Sequence, residues 1–160
     1  MQHPGLEAGE VGEPIELLYR EHGDRLWSSV YAFAGDADVA NDAVAEAFAQ
    51  VLRRGDAVRT PLAWVWRAAF RLAAGDLQRR RMLSPEVPER SYDMPDVGGS
   101  VLAAVRRLPE RQRAAIVLHY YADQSIREAA RIMGTTPTAV GVHLFRGRKR
   151  LRELLGDDID

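Results

Sequence analysis

Cysteine is absent from the 160 residues, which excludes disulfides, thiolate metal sites and thiol catalysis together. The histidines, His3, His22, His119 and His143, are scattered, and none has a partner at metal-ligand spacing. No metal and no cofactor is expected. Long apolar runs are also missing. Nothing approaches the length that spans a bilayer, and the acidic N-terminus has no apolar stretch of the signal-peptide kind. A cytoplasmic protein with no membrane contact of its own is expected. There is no glycine-rich phosphate loop, since Gly98 and Gly99 lie in a linker-like stretch, and no serine sits in a nucleophile elbow. These absences argue against an enzyme.

The net charge of −1 conceals segregation. Residues 1–82 carry 10 basic and 12 acidic side chains, residues 83–97 carry 1 and 4, and residues 98–160 carry 11 and 7. A basic C-terminal part behind an acidic connector points to a nucleic-acid partner more than the total does.

No strand-like alternation and no internal repeat is present, so the fold class is all-α, as two small helical bundles joined by a flexible acidic linker. Residues 1–13 are expected to be a disordered tail. In the first domain, 14–82, Pro14 opens a helix with Ile15, Leu18, Tyr19, Leu26, Trp27, Val30 and Phe33 at helical spacing, and Gly35 ends it. Asp38 is a candidate cap for a second helix running to about Arg54, with Ala40, Val44, Ala47, Phe48, Val51 and Leu52 on its buried face. Thr60 followed by Pro61 starts a third, through Leu62, Val65, Ala69, Leu72 and Leu77. Residues 83–99 hold three prolines, two glycines and four acids without sustained periodicity, as a linker does. The second domain, 100–156, is followed by an acidic tail, 157–160. It begins with a helix through Val101, Leu102, Val105 and Leu108, then another with Ala115, Ile116, Leu118, His119 and Tyr120 near its centre.

The stretch 125–150 organises that second domain. Ser125 with Glu128 three residues on is a capping-box start, and Ile126, Ala129, Ala130 and Met133 form one apolar face. Gly134 stops this helix, and Thr136 with Pro137 starts the next, whose apolar positions are Val140, Leu144, Leu151 and Leu154, with Gly147 allowing close approach. Two helices joined by a short turn, the second of them basic, form the pattern of a DNA-reading helix-turn-helix. An ordinary helical hairpin shares the pairing, but the run Arg146, Arg148, Lys149, Arg150 and Arg152 is unusually unmixed for a solvated face.

Two features of the first domain also carry chemistry. Asp38, Asp42 and Glu46 line one face at i, i+4 and i+8, a like-charge arrangement costing about 0.2–0.5 kcal/mol per pair. A surface for a basic partner has this form, and so does a merely soluble helix. The third helix mixes Trp64, Trp66 and Phe70 with Arg67, Arg71, Arg79, Arg80 and Arg81. Rings for bases beside arginines for phosphates suit single-stranded nucleic acid, although Trp66 and Phe70, four apart, equally suit a core.

In this order the parts resemble bacterial RNA polymerase sigma factors, specifically the small extracytoplasmic-function (ECF) group that keeps only the second and fourth conserved regions. LYREHGDRL at 18–26, NDAVAEAFAQVLRR at 41–54 and PLAWVWRAAFRLAAGDLQRRR at 61–81 resemble the second region. RRLPERQRAAIVLHYYADQSIREAARIMGTTPTAVGVHLFRGRKRLREL at 106–154 resembles the fourth. The resemblance implies a transcription initiation factor whose partners are core RNA polymerase, through its clamp helices and flap, promoter DNA, and often an anti-sigma factor. It implies core-polymerase binding by Asp42, Glu46 and Gln50, with Phe48 holding their helix in place. Minus-ten DNA would be held by the loop 54–60 and the helix after it, through Arg54, Arg59, Trp64, Trp66, Arg67 and Arg71. Minus-thirty-five DNA would be read from Thr136, Thr138, Val142, His143, Arg146, Arg148 and Arg150. The acidic linker would thread the channel that RNA later uses. Ala45 stands where the group commonly has a glutamine, which removes a polar contact for core binding, and Arg71, Gly75, Gly141, Val142 and His143 depart from the residues common in the group, so no promoter sequence can be carried over. The rival expectations are a stand-alone helix-turn-helix regulator binding duplex DNA as a dimer, and an adaptor that never touches DNA.

Overall fold

The end of the first helix shows how local chemistry sets the fold. In the computed structural model, which describes residues 8–83 and 99–156, helix α1 (Ala8–Ala34) stops where Gly35 takes φ +72°, a left-handed conformation that glycine adopts without strain. Asp36 then caps α2 (Ala37–Arg54), its Oδ1 accepting from the amides of Asp38 at 2.8 Å and Val39 at 3.1 Å. The cap therefore falls two residues before Asp38, because Asp36 has the extended backbone a cap requires and Asp38 is already helical. The start of α1 differs as well. It lies at Ala8, and Pro14 is inside the helix, where its fixed φ fits and only one amide donor is lost. Residues 8–13 are thus helical, and residues 1–7 lie outside the described residues.

A 3₁₀ turn (Gly55–Ala57) leads to α3 (Pro61–Leu83). Leu26, Val30, Val39, Val51 and Val65 are almost fully buried among α1, α2 and α3, each contributing about 1.5–3 kcal/mol of burial. Phe70 joins this core with Phe33 at 5.3 Å and Trp66 at 6.1 Å between ring centroids. Leu52, expected on the buried face of α2, is 49% exposed, because Phe48 and Val51 already fill the inward positions of that turn.

The linker, 84–98, lies outside the described residues. The C-terminal half consists of α4 (Gly99–Arg106), α5 (Glu110–Ile116), α6 (Ile126–Met133) and α7 (Pro137–Leu155). Helix α5 ends in a π turn (Val117–Tyr121), where the amide of Ala122 reaches the carbonyl of Val117 at 2.9 Å. This wider turn leaves Tyr120 exposed and His119 half-buried instead of at a helix centre, with His119 Nδ1 2.8 Å from the Gln124 carbonyl oxygen. Ser125 caps α6, and Gly134 at φ +69° ends it. Ile126 is 37% exposed, and Ile132 takes the inward position beside Ala129 and Ala130.

The two halves do not stand apart. A single apolar core runs through both, with α6 packed on α3 and α1 touching α4, α5 and the π turn. Apolar faces left over from each bundle cover one another, so the two bundles pack together.

Candidate nucleic-acid interface

Helix α7 is presented rather than buried. The Thr136 hydroxyl accepts from the amide of Ala139 at 3.1 Å, and Pro137 supplies the first helical residue, which fixes where the helix begins. Val140 and Leu144 face inward, and Gly147 lies at the crossing with α5. A Cβ at Gly147 would come within 2.9 Å of Ile116 Cγ1, so glycine sets the depth at which α7 seats.

The opposite face carries the candidate readers. Thr136, Thr138, Val142, Arg146 and Arg150 are exposed, and His143 and Arg148 are half-buried. Arg148 donates to the Tyr120 hydroxyl at 2.8 Å, and Arg150 pairs with Glu153 at 3.3 Å. Among the described residues, Arg146, Lys149 and Arg152 form no ion pair. An open cleft between α5 and α7 is lined by Gln112, Arg146, Lys149, Arg150 and Glu153, with Pro109 at its rim. Burial, then Arg111 and Arg146, hold the His143 imidazole below its usual pKa of 6.5, so the ring is neutral at pH 7. Sequence reasoning missed Phe145, which is 63% exposed on this face, three residues after Val142. Its i, i+3 spacing from Val142 on the face opposite Leu144 was the available signal.

The aromatic-basic helix of the first half divides. Trp66 is only 5% exposed and belongs to the core, so its ring offers no platform for a base. Trp64 is half-buried, with the Arg54 guanidinium 5.4 Å over its ring. Arg59 and Arg71 are exposed, and Arg67 is half-buried with its Nε enclosed and without a hydrogen bond. The three arginines at the end of α3 are paired: Arg79 with Asp76 at 3.3 Å, Arg80 with Asp36 at 2.9 Å and Arg81 with Glu110 at 2.9 Å.

On α2, Asp38 and Asp42 are exposed. Glu46 accepts from Arg53 at 2.9 Å and from Gln50 at 3.1 Å, hydrogen bonds that hold its carboxyl below the usual carboxylate range. Phe48 is buried and meets the Tyr19 ring edge-on at 5.1 Å, so it fixes the helix and is not available as a contact. Among the described residues no group of three or more His, Asp or Glu side chains is placed to hold a metal ion, and no helix is long and apolar enough to cross a membrane.

This geometry, a capped helix pair with a basic second helix, agrees with a family-model match. Residues 99–151 match Sigma-70, region 4. Over 152 residues the chain is 30% identical to the ECF RNA polymerase sigma factor SigM of Mycobacterium tuberculosis, covering 89% of this chain and 77% of SigM. It is 28% identical over 169 residues to the ECF RNA polymerase sigma factor BldN of Streptomyces coelicolor, covering 95% of this chain and 64% of BldN, so it spans less than two thirds of that relative. The fold is shared with the sigma factor RpoE of Bartonella quintana, solved in complex with the anti-sigma factor NepR, at a TM-score of 0.80 and 20% identity over 91% of this chain and 99% of RpoE. The chain belongs to the ECF RNA polymerase sigma factor family.

Proposed function

We propose that this chain is a transcription initiation factor that binds core RNA polymerase and directs it to specific promoters, acting in the cytoplasm and without chemistry of its own. The observation that carries this reading is the outer face of α7, where Arg146, Lys149 and Arg152 lack ion-pair partners among the described residues and lie beside exposed Val142 and Phe145. Unpaired cations suit phosphates, which position a protein on DNA, and apolar side chains between them suit thymine methyl groups in the major groove. Thr138, Val142, His143 and Phe145 are the proposed readers of a minus-thirty-five element, with Thr136, Arg146, Arg148 and Arg150 on its backbone. Arg54, Arg59, Trp64, Arg67 and Arg71 are the proposed minus-ten contacts. Asp42 and Glu46, with Gln50 beside them, form the proposed acidic docking face for the clamp helices of the core, while the flap would meet the C-terminal half. An anti-sigma factor is a further proposed partner, by analogy with the complex of RpoE.

The test is direct. Purified chain added to core polymerase should co-elute with it and start transcription from a subset of promoter fragments. Tight binding of the chain alone to duplex promoter, with no capture of core, would instead favour a stand-alone regulator.

A further inference from the structure

The arginines of α7 are held in different ways. Arg150 is paired with the carboxylate of Glu153 at 3.3 Å, which offsets its charge. Arg148 instead donates from Nη1 to the hydroxyl oxygen of Tyr120 at 2.8 Å, across 28 residues of sequence. A phenol oxygen is neutral. It fixes the direction of the guanidinium, leaves the positive charge whole and leaves the other N–H donors of the fork free.

Tyr120 is itself held from behind. It belongs to the π turn (Val117–Tyr121), which is wider than an α-helical turn, and it emerges 54% exposed. Its ring meets the His119 imidazole edge-on, with 5.0 Å between centroids. His119 Nδ1 lies 2.8 Å from the Gln124 carbonyl oxygen, which can only accept, so Nδ1 carries the proton of that bond. The Gln124 amide in turn donates to the carbonyl of Leu118 at 2.9 Å, and Leu118 is fully buried. A chain of contacts that ends in the core therefore steadies the phenol.

The Tyr120 hydroxyl accepts from Arg148, and its own hydrogen has no acceptor among the described residues. An O–H donor and several N–H donors thus lie side by side, and neither group has a carboxylate partner among the described residues. Such a pair fits an anionic group with more than one acceptor oxygen, as a phosphate has. The approach is open. Gly141, two turns before Arg148 on the same flank of α7, has nothing within 4 Å of where a Cβ would stand. That flank borders exposed Phe145, so a helix lying in the major groove brings a backbone phosphate to it.

We propose that Tyr120 is a positioning residue for promoter DNA: its hydroxyl holds Arg148 in place and shares with it one phosphate of the minus-thirty-five duplex. The proposal rests on the promoter-reading role above, to which it adds a residue lying before both helices of the reading pair. A guanidinium already fixed before DNA arrives has less freedom to lose on binding, which favours the complex.

The test uses the full chain with purified core polymerase. The promoter duplexes carry, one position at a time along the minus-thirty-five element, a neutral methylphosphonate in place of a phosphate. The parent should lose about tenfold in affinity at the phosphate in question. Arg148→Ala should bind the unmodified duplex about tenfold more weakly and be nearly insensitive to the methylphosphonate at that one position. Tyr120→Phe, which keeps the ring, should bind about threefold more weakly, and its penalty at the same position should drop to about threefold. Every other position should respond as in the parent. The slope of log affinity against log salt should become shallower by about 0.9 in Arg148→Ala and stay unchanged in Tyr120→Phe, which removes no cation. A weaker Tyr120→Phe with the parent's full penalty at that position would make the hydroxyl a structural tie only and overturn the proposal. Unweakened binding by Tyr120→Phe would overturn it as well. A parent that responds to none of the methylphosphonates would instead count against the reading of this element by α7, on which the shared phosphate depends.

Discussion

The N-terminal and C-terminal halves solve the same packing problem with different materials. The first fills its core with rings, Phe33, Phe48, Trp66 and Phe70, and its arginines are largely engaged in ion pairs or over a ring. The second fills its core with Leu108, Ile116, Leu118, Val140, Leu144 and alanines, and leaves Arg146, Lys149 and Arg152 of α7 without ion-pair partners among the described residues. Large rings make a rigid three-helix unit that can tolerate an exposed acidic stripe. Small aliphatics allow the close crossing at Gly147 that brings α7 to the surface with its charges unspent.

The sharpest way to break this comparison is to treat Trp66 as a DNA contact. If it is core, Trp66→Ala should cost about 3–5 kcal/mol of stability in urea unfolding, whereas Trp64→Ala should cost far less. Equal stabilities with a selective loss of minus-ten binding in Trp66→Ala would show the ring to be functional.

Glu46→Arg addresses the docking role. The side chain is 44% exposed and its pair with Arg53 is a surface one, so the melting temperature should move little when that pair is lost. At a docked acidic face the reversed charge should weaken core binding by several kcal/mol, measured by competition for purified core. Retained affinity would remove α2 from the interface.

At the α5–α7 crossing, Gly147→Ala should destabilise by about 1–3 kcal/mol, because the added Cβ meets Ile116 Cγ1 at 2.9 Å. Gly141 has open space around its Cβ position, so Gly141→Ala should be neutral or stabilising by up to about 1 kcal/mol. The two glycines thus separate packing from helix propensity within one helix. Equal effects in thermal unfolding would deny the close crossing.

The smallest expected effect is a pH dependence at His143. With Arg111 of α5 and Arg146 of α7 against it, the ring is neutral at pH 7 in the free chain. Phosphates brought close by DNA favour the charged ring, so binding takes up a proton and should tighten as pH falls through the range around 6.5. Folding has the opposite sign. The unfolded chain protonates first, so stability should decline as pH drops below the ordinary histidine value. His143→Gln should flatten both slopes, and an unchanged binding slope would place His143 away from the phosphates.

Much of the candidate site was legible beforehand, and the parts that were not share a cause. The cap at Ser125, the stop at Gly134 and the start at Thr136 with Pro137 stand where expected, since each depends on residues within about four positions. Phe145 escaped because an aromatic at helical spacing suits a core as well as a surface, and only the placement of α7 against α5 distinguishes them. Trp66 was ambiguous for the same reason.

By itself, then, the sequence determined the all-helical class, both ends of α6, the start of α7, the acidic stripe of α2 and the basic face of α7, because hydrogen bonds and periodicity over a few residues decide those. Only the tertiary structure decided which rings are buried, that α5 ends in a π turn and that the halves close on one another. Those outcomes depend on which partner a group meets. Arg113 finds the carbonyl of Phe33 across a separation of 80 residues, a contact to which no local pattern contributes.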